Sequence, residues 1–150
     1  MNDPSLVDRP ILREVRESDI ELFYEYQADP EAAAMAAFTS RDRASAYARW
    51  RDIMANDTIT ARAIVVGSEV CGHVVSWTDE GHREVGYWIG REFWGRGIAT
   101  AALRDFLDVV TERPLEAWVA PGNAGSIRVL EKNGFAFDRD EDDYRVFRIE

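Results

Sequence analysis

The stretch Trp94-Gly95-Arg96-Gly97-Ile98-Ala99-Thr100 decides how the chain is read. It joins a strand-like run, Glu84 to Ile89, to a helical pattern, Ile98 to Val110. In that helix Ile98, Ala102, Phe106 and Val110 fall along one stripe. Gly95 and Gly97 let the backbone turn sharply and approach a ligand closely. The first N–H groups of the helix then point unpaired into the loop and carry partial positive charge, so the spot suits an anion such as a pyrophosphate. Arg91 and Arg96 add charge. Two familiar phosphate loops fail on spacing. Gly90 and Gly95 fit G-x-x-x-x-G-K-[ST], but Arg96-Gly97 follows. Gly95 and Gly97 fit G-x-G-x-x-G, but Thr100 takes the third place. By itself the loop also reads as a glycine turn that only connects two elements.

Before this loop, Ile11 to Val15 reads as a first strand. Ser18 and Asp19 offer N-caps for a helix carrying Ile20, Leu22, Phe23 and Tyr26, which Pro30 ends. Arg43 to Ala55 places Tyr47, Trp50, Ile53 and Met54 at helical spacing, as core. Thr60 to Val66 and Val70 to Trp77 flank Gly67-Ser68-Glu69 as a hairpin. Along the strand from Glu84, alternation puts Val85, Tyr87 and Ile89 on one face and Glu84, Gly86 and Trp88 on the other. After the loop and its helix come Pro114, a short strand Leu115 to Val119, and a helix from Asn123 to about Asn133. Gly134 fits the left-handed position after it. Phe135 to Phe137 and Tyr144 to Ile149 close the chain as a hairpin. The run Asp138 to Asp143 reads as its solvated turn. The order is β-α-α-β-β-β-α-β-α-β-β, a mixed α/β domain.

The chain has 150 residues, enough for one domain. Its net charge of −10 argues against a nucleic-acid partner, which needs a basic face, and suits a cationic one. Acidity that only aids solubility fits equally. No apolar run approaches the ~18 residues of a membrane helix. Met1 to Pro10 holds Asp3, Asp8 and no apolar block, so no signal peptide is expected and the cytoplasm is the default. The single cysteine, Cys71, reads as a buried apolar side chain. With only His73 and His82 beside it, no metal site is expected.

A second motif runs from Asn123 through Ser126, Arg128, Leu130, Glu131 and Lys132 to Gly134-Phe135. Together with the glycine loop it resembles the two signature motifs of the GNAT superfamily of N-acetyltransferases. The whole of Tyr87 to Phe135 resembles the RimJ/RimL-type branch, written G-Y-W-[IL]-x-x-x-x-W-G-x-G-[IY]-A-T and N-x-x-S-x-x-x-x-E-K-x-G-F. The resemblance implies a mostly antiparallel central sheet, splayed at the strand before the loop and flanked by about four helices. It implies acetyl-CoA as cosubstrate, a primary amine as acceptor (a small molecule or a protein N-terminal α-amine), and a homodimer.

By the same resemblance, the main-chain amides of Trp94, Gly95, Arg96, Gly97, Ile98, Ala99 and Thr100 cradle the CoA pyrophosphate. The backbone of Trp88 and Ile89 pairs with the pantetheine arm, and Asn123 contacts the pantetheine end. As an N-cap, Asn123 has a structural reading as well. The family's proton-donating tyrosine, seven residues after the asparagine, is replaced by Leu130. Ser126, three residues after it, is the candidate donor to the leaving sulfur, or else only a helix-cap residue. A thiol titrates near ~8.5, so a weak acid suffices there. The amine attacks directly, and the Ile89 N–H polarises the thioester carbonyl. Glu84 is the first candidate for the general base and His73 the second. Each has a bland reading: an exposed strand glutamate, and a neutral core histidine bonded to a neighbour. Tyr87, Trp88 and Trp77 are candidates for aromatic walls of the acceptor cleft, or for core. A CoA-binding sensor without turnover, and an interaction protein that binds no CoA, are the competing classes.

Overall fold

The computed structural model describes residues 9–150. The leader expectation rests on Met1 to Pro10, of which residues 1–8 lie outside the described residues. Strand β1 (Ile11–Arg13) leads through a single 3-10 turn at Glu17–Asp19 into α1 (Ile20–Ala28), α2 (Pro30–Met35) and α3 (Arg43–Ala55). Then follow β2 (Thr60–Val66), β3 (Glu69–Asp79) and β4 (His82–Ile89), a second 3-10 turn at Arg91–Phe93, and α4 (Ile98–Val109). The chain ends in β5 (Leu115–Val119), α5 (Ala124–Lys132), β6 (Ala136–Glu141) and β7 (Tyr144–Ile149). The strands form one sheet in the order β1-β2-β3-β4-β5-β7-β6. Every pairing is antiparallel except β4 with β5. Both sheet faces are covered. Phe106, Leu103 and Ala102 of α4 and Leu130 of α5 pack against Val74, Val85, Leu115 and Phe147. On the other face Ile20, Phe23, Trp50 and Ile53 of α1 and α3 pack against Ala63 and Val75. Among the described residues no helix is long and apolar enough to cross a membrane.

Three local expectations need correction. Pro30 ends α1 but also opens α2. Its missing N–H and fixed φ suit a first helical position, and the Asp29 side chain caps the Glu31 N–H at 3.0 Å. Asp19 makes no cap bond for α1. Its buried carboxylate takes two bonds from the Arg13 guanidinium, at 2.8 and 2.9 Å, and one from the Arg16 N–H. The run Asp138 to Asp143 is not all turn. Asp138 to Glu141 belong to β6, and only Asp142-Asp143 turn, with Asp142 at φ 52°. Arg139 reaches inward from that run to grip Glu116 on β5 with both guanidinium arms, at 3.0 and 3.1 Å.

The sheet is splayed as expected. β4 and β5 pair only at Arg83↔Leu115 and Glu84↔Glu116. Beyond Glu84 they diverge, and Val85 to Ile89 have no ladder partner on that side. The other edge of β4 stays fully paired with β3, from Asp79↔His82 to Gly72↔Ile89. Gly72 is required in that pairing, because a Cβ there would overlap the Trp88 carbonyl.

Candidate active site

The open edge of β4 has a defined chemistry. The Gly90 N–H donates to the Cys71 carbonyl at 2.9 Å. In an antiparallel register hydrogen-bonded and non-hydrogen-bonded pairs alternate. Counting back along Gly72↔Ile89 and His73↔Trp88, the Trp88 amide groups turn to β3, while those of Tyr87 and Ile89 turn into the gap. The expected backbone pairing of pantetheine with Trp88 is therefore corrected: Tyr87 and Ile89 offer the edge. The Ile89 carbonyl already accepts the Trp94 indole N–H at 2.9 Å, which ties the glycine loop to the strand.

Beyond the strand the loop turns through Gly95 and Gly97, at φ 79° and 75°. Nothing lies within 4 Å of a Cβ at either, so the backbone angle alone demands glycine. Gly97 is the N-cap of α4 and supplies no side-chain cap. Among the described residues the N–H groups of the first turn thus face the loop without a capping side chain, as an anion site requires.

A cleft of about 620 Å³ follows this gap. Trp88, Ile89, Trp94, Gly95 and Gly97 line it from β4 and the loop. Ile98, Ala99 and Thr100 line it from α4, and Asn123 and Ser126 from the start of α5. Of the expected site residues, Arg96 and Glu84 are not part of its lining; the Arg96 guanidinium sits over the Phe93 ring. Asn123 caps α5, its side-chain oxygen accepting the Ser126 N–H at 3.2 Å. This commits the oxygen and leaves the amide N–H groups as donors to the cleft.

Three features of the cleft went unread in the sequence. The Tyr87 hydroxyl lies 2.6 Å from the Ser126 Oγ and 3.1 Å from the Ser126 carbonyl oxygen. Burial pushes the Tyr87 hydroxyl up to about 12. Arg128 and Lys132, four residues apart on α5, both line the cleft. They make no ion pair among the described residues, although carboxylates outnumber cations 28 to 18. Their helical spacing beside the Asn123 cap was the available signal. Finally, α2 and the residues after it close one wall, with Ala32, Met35 and Ala36 in the lining and Phe38 edge-on to Trp88 at 5.2 Å.

Glu84 does not line the cleft and is the last β4 residue paired with β5. It is buried, 9% exposed, not an exposed strand glutamate. Burial pushes its carboxyl above the usual carboxylate range, and the charges of Asp79 and Glu116 add to that. Alternation places it on the face opposite Tyr87. Trp77 and Trp88 share the Glu84 face; Tyr87 and Trp88 both line the cleft, from opposite faces of β4, and Trp77 does not.

His73 also departs from expectation. It is buried between the Phe23 and Trp50 rings, with centroids at 4.8 and 4.6 Å, and neither ring nitrogen has a hydrogen-bond partner among the described residues. Burial drives it down to about 3, so it is neutral, and it does not line the cleft. Cys71 is buried and its thiol is pushed up by that burial, which suits packing, not nucleophilic attack. Among the described residues no three His, Cys, Asp or Glu side chains converge on a metal site.

Residues 9–136 match the acetyltransferase (GNAT) domain family. The chain belongs to the GNAT N-acetyltransferases. It is 26% identical over 141 residues to the uncharacterized N-acetyltransferase p20 of Bacillus licheniformis, covering 85% of this chain and 79% of that one. Its fold is similar to that of aminoglycoside acetyltransferase AAC(6')-Ib in complex with coenzyme A and kanamycin (TM-score 0.75, 18% identity, 91% of this chain and 93% of that one). It is also similar to Mycobacterium smegmatis RimJ in complex with CoA-disulfide (TM-score 0.74, 23% identity, 93% of this chain and 81% of that one).

Proposed function

We propose that this chain transfers acetyl directly from acetyl-CoA to a primary amine, as a RimJ/RimL-type enzyme. One observation carries the reading. The uncapped start of α4, the unpaired edge of β4 and the Ser126 hydroxyl converge on a single cleft. Acetyl-CoA supplies the acetyl thioester. The first-turn N–H groups of α4 bind its pyrophosphate, and Arg128 and Lys132 meet further phosphate charge. The backbone of Tyr87 and Ile89 holds the pantetheine amides as a strand would, with Asn123 at their end. The Ile89 N–H receives the charge that develops on the carbonyl oxygen.

The two sides of the gap divide the proton work. Glu84, on one face, takes the ammonium proton through water. The amine lone pair then forms the C–N bond, the C–S bond breaks, its electron pair leaves on sulfur as thiolate, and the second nitrogen proton is lost through water, from which the thiolate is finally protonated, leaving a neutral amide and the CoA thiol. Ser126, on the other face, donates a hydrogen bond to that sulfur from the first turn of α5, where the helix dipole favours negative charge. An α-amine titrating near ~7.7–8.0 asks little of the base; a lysine-like amine near ~10.4 asks more, which a carboxyl raised by burial helps to meet. The chain's negative charge suits a cationic acceptor, and the kanamycin complex of a structural neighbour fits a small polyamine as one such acceptor. A transfer screen over polyamines, aminoglycosides and N-terminal peptides tests the reading. Acetylation of at least one amine, lost in Ser126→Ala with CoA binding retained, is expected. Tight CoA binding with no transfer to any amine would make the chain a sensor instead.

A further inference from the structure

The geometry points to Tyr87 as a positioning residue that holds the Ser126 hydroxyl with its proton aimed at the leaving sulfur, a reading that rests on the acetyl transfer proposed above. A seryl hydroxyl has one proton and a free rotor, so its value as a donor depends on what fixes it. Tyr87 reaches it across the gap from β4, 2.6 Å from Oγ and 3.1 Å from the Ser126 carbonyl oxygen. Two arrangements compete. In one, Tyr87 donates to the carbonyl and takes the seryl proton, which turns Ser126 away from the cleft. In the other, Tyr87 donates to Oγ, and the seryl proton is left to point into the cleft.

The 2.6 Å contact, at the short end for paired hydroxyls, is a hydrogen bond in both arrangements, and either oxygen can be its donor. A charged sulfur in the cleft selects the second. An anion is a stronger acceptor than a phenol oxygen, and each bond in the chain Tyr87–OH to Ser126–OH to sulfur strengthens the next. The tyrosyl proton stays where it is. Burial holds that hydroxyl near 12, far above a thiol's ~8.5, so the chain stabilises the leaving electron pair by hydrogen bonding without handing over the proton. The backbone supports the same rotor: the Ser126 N–H is bound to Asn123. The family's usual tyrosine position holds Leu130, buried in the core. The phenol here enters from the opposite element and acts through serine.

The test uses Tyr87→Phe, Ser126→Ala and the double variant of the full chain, each first checked by calorimetry for unchanged CoA binding. Tyr87→Phe should lower kcat about tenfold with KM for acetyl-CoA within about twofold. The double variant should be no slower than Ser126→Ala, because Tyr87 works only through the serine. Full kcat in Tyr87→Phe, or multiplying losses in the double variant, would overturn the proposal. A readout independent of turnover is the tyrosinate absorbance of Tyr87, taken as wild type minus Tyr87→Phe. The Ser126 bond lowers that ionisation, so Ser126→Ala should move it to still higher pH. An unmoved titration would refute the contact even if the chain acetylated nothing. A moved titration in a chain without turnover would leave the contact standing and sink the enzyme reading alone.

Discussion

Replacing Arg139 with Met tests how β6 is tied to β5. Glu116 is 1% exposed, and both its oxygens are gripped by the Arg139 guanidinium. Met keeps much of the arginine's bulk and removes the charge and the two donors. Breaking a buried pair from one side costs about 3–5 kcal/mol, because an uncompensated carboxylate stays behind. Here His82 at 3.6 Å and Arg148 at 4.0 Å remain near Glu116, so the low end, about 3 kcal/mol, is expected. For a chain of this size that is roughly 6–12 °C in Tm. Urea unfolding followed by tryptophan fluorescence measures it. Adding Glu116→Gln should recover more than half the loss, since the stranded charge is then gone. The Arg139 bonds hold the Glu116 carboxyl below its ordinary value despite burial. Its stabilisation is therefore complete above the unfolded value near ~4.3 and fades as pH falls through the lower folded one. The deficit of Arg139→Met should shrink across that same acid window. A loss under about 1 kcal/mol, or no recovery in the double variant, would show that the pair does not hold β6 to β5.

Glu84→Gln should lower kcat by about a hundredfold or more without changing KM for acetyl-CoA. It should also erase the rise of activity with pH that accompanies deprotonation of a carboxyl raised by burial. The same variant should be more stable than wild type at neutral pH, because a raised carboxyl stabilises below ~4.3 and loses that contribution as pH climbs through its folded value. Replacing Arg128 and Lys132 together with alanine should weaken CoA binding about 10–100-fold by calorimetry. It should weaken dephospho-CoA binding far less if these cations meet the 3'-phosphate. His73→Leu should flatten the acid side of the stability curve. Neutral His73, driven down to about 3 by burial, makes wild type lose up to ~1.4 kcal/mol per pH unit below ~6.5, and denaturation at several pH values would show the difference.

What could be read in advance follows from which forces are local. α3 and β5 begin and end where their periodicity says, at Arg43–Ala55 and Leu115–Val119. The Asn123 cap and the left-handed Gly134 also depend only on neighbours in the chain. Alternation along β4 correctly separated Glu84 from Tyr87. It could not say which edge the amides face, because that depends on the register with β3; the resemblance points to Trp88, whose amide groups turn to β3 and not into the gap. The Tyr87–Ser126 contact spans 39 residues and no local pattern encodes it. Burial at Glu84 and the bare ring nitrogens of His73 likewise come from what other segments lay over them. Arg139 looked like one charge among many until Glu116 was placed opposite it.

The parting of β4 from β5 leaves a strand with two unlike sides, and this predicts a solvent-exchange fingerprint. The Trp88 amide proton, locked onto β3, should survive long in heavy water. Those of Tyr87 and Ile89, one residue either way, should be lost quickly. A ligand laid in the gap as a surrogate strand would erase that alternation, so its docking could be followed proton by proton before any product forms.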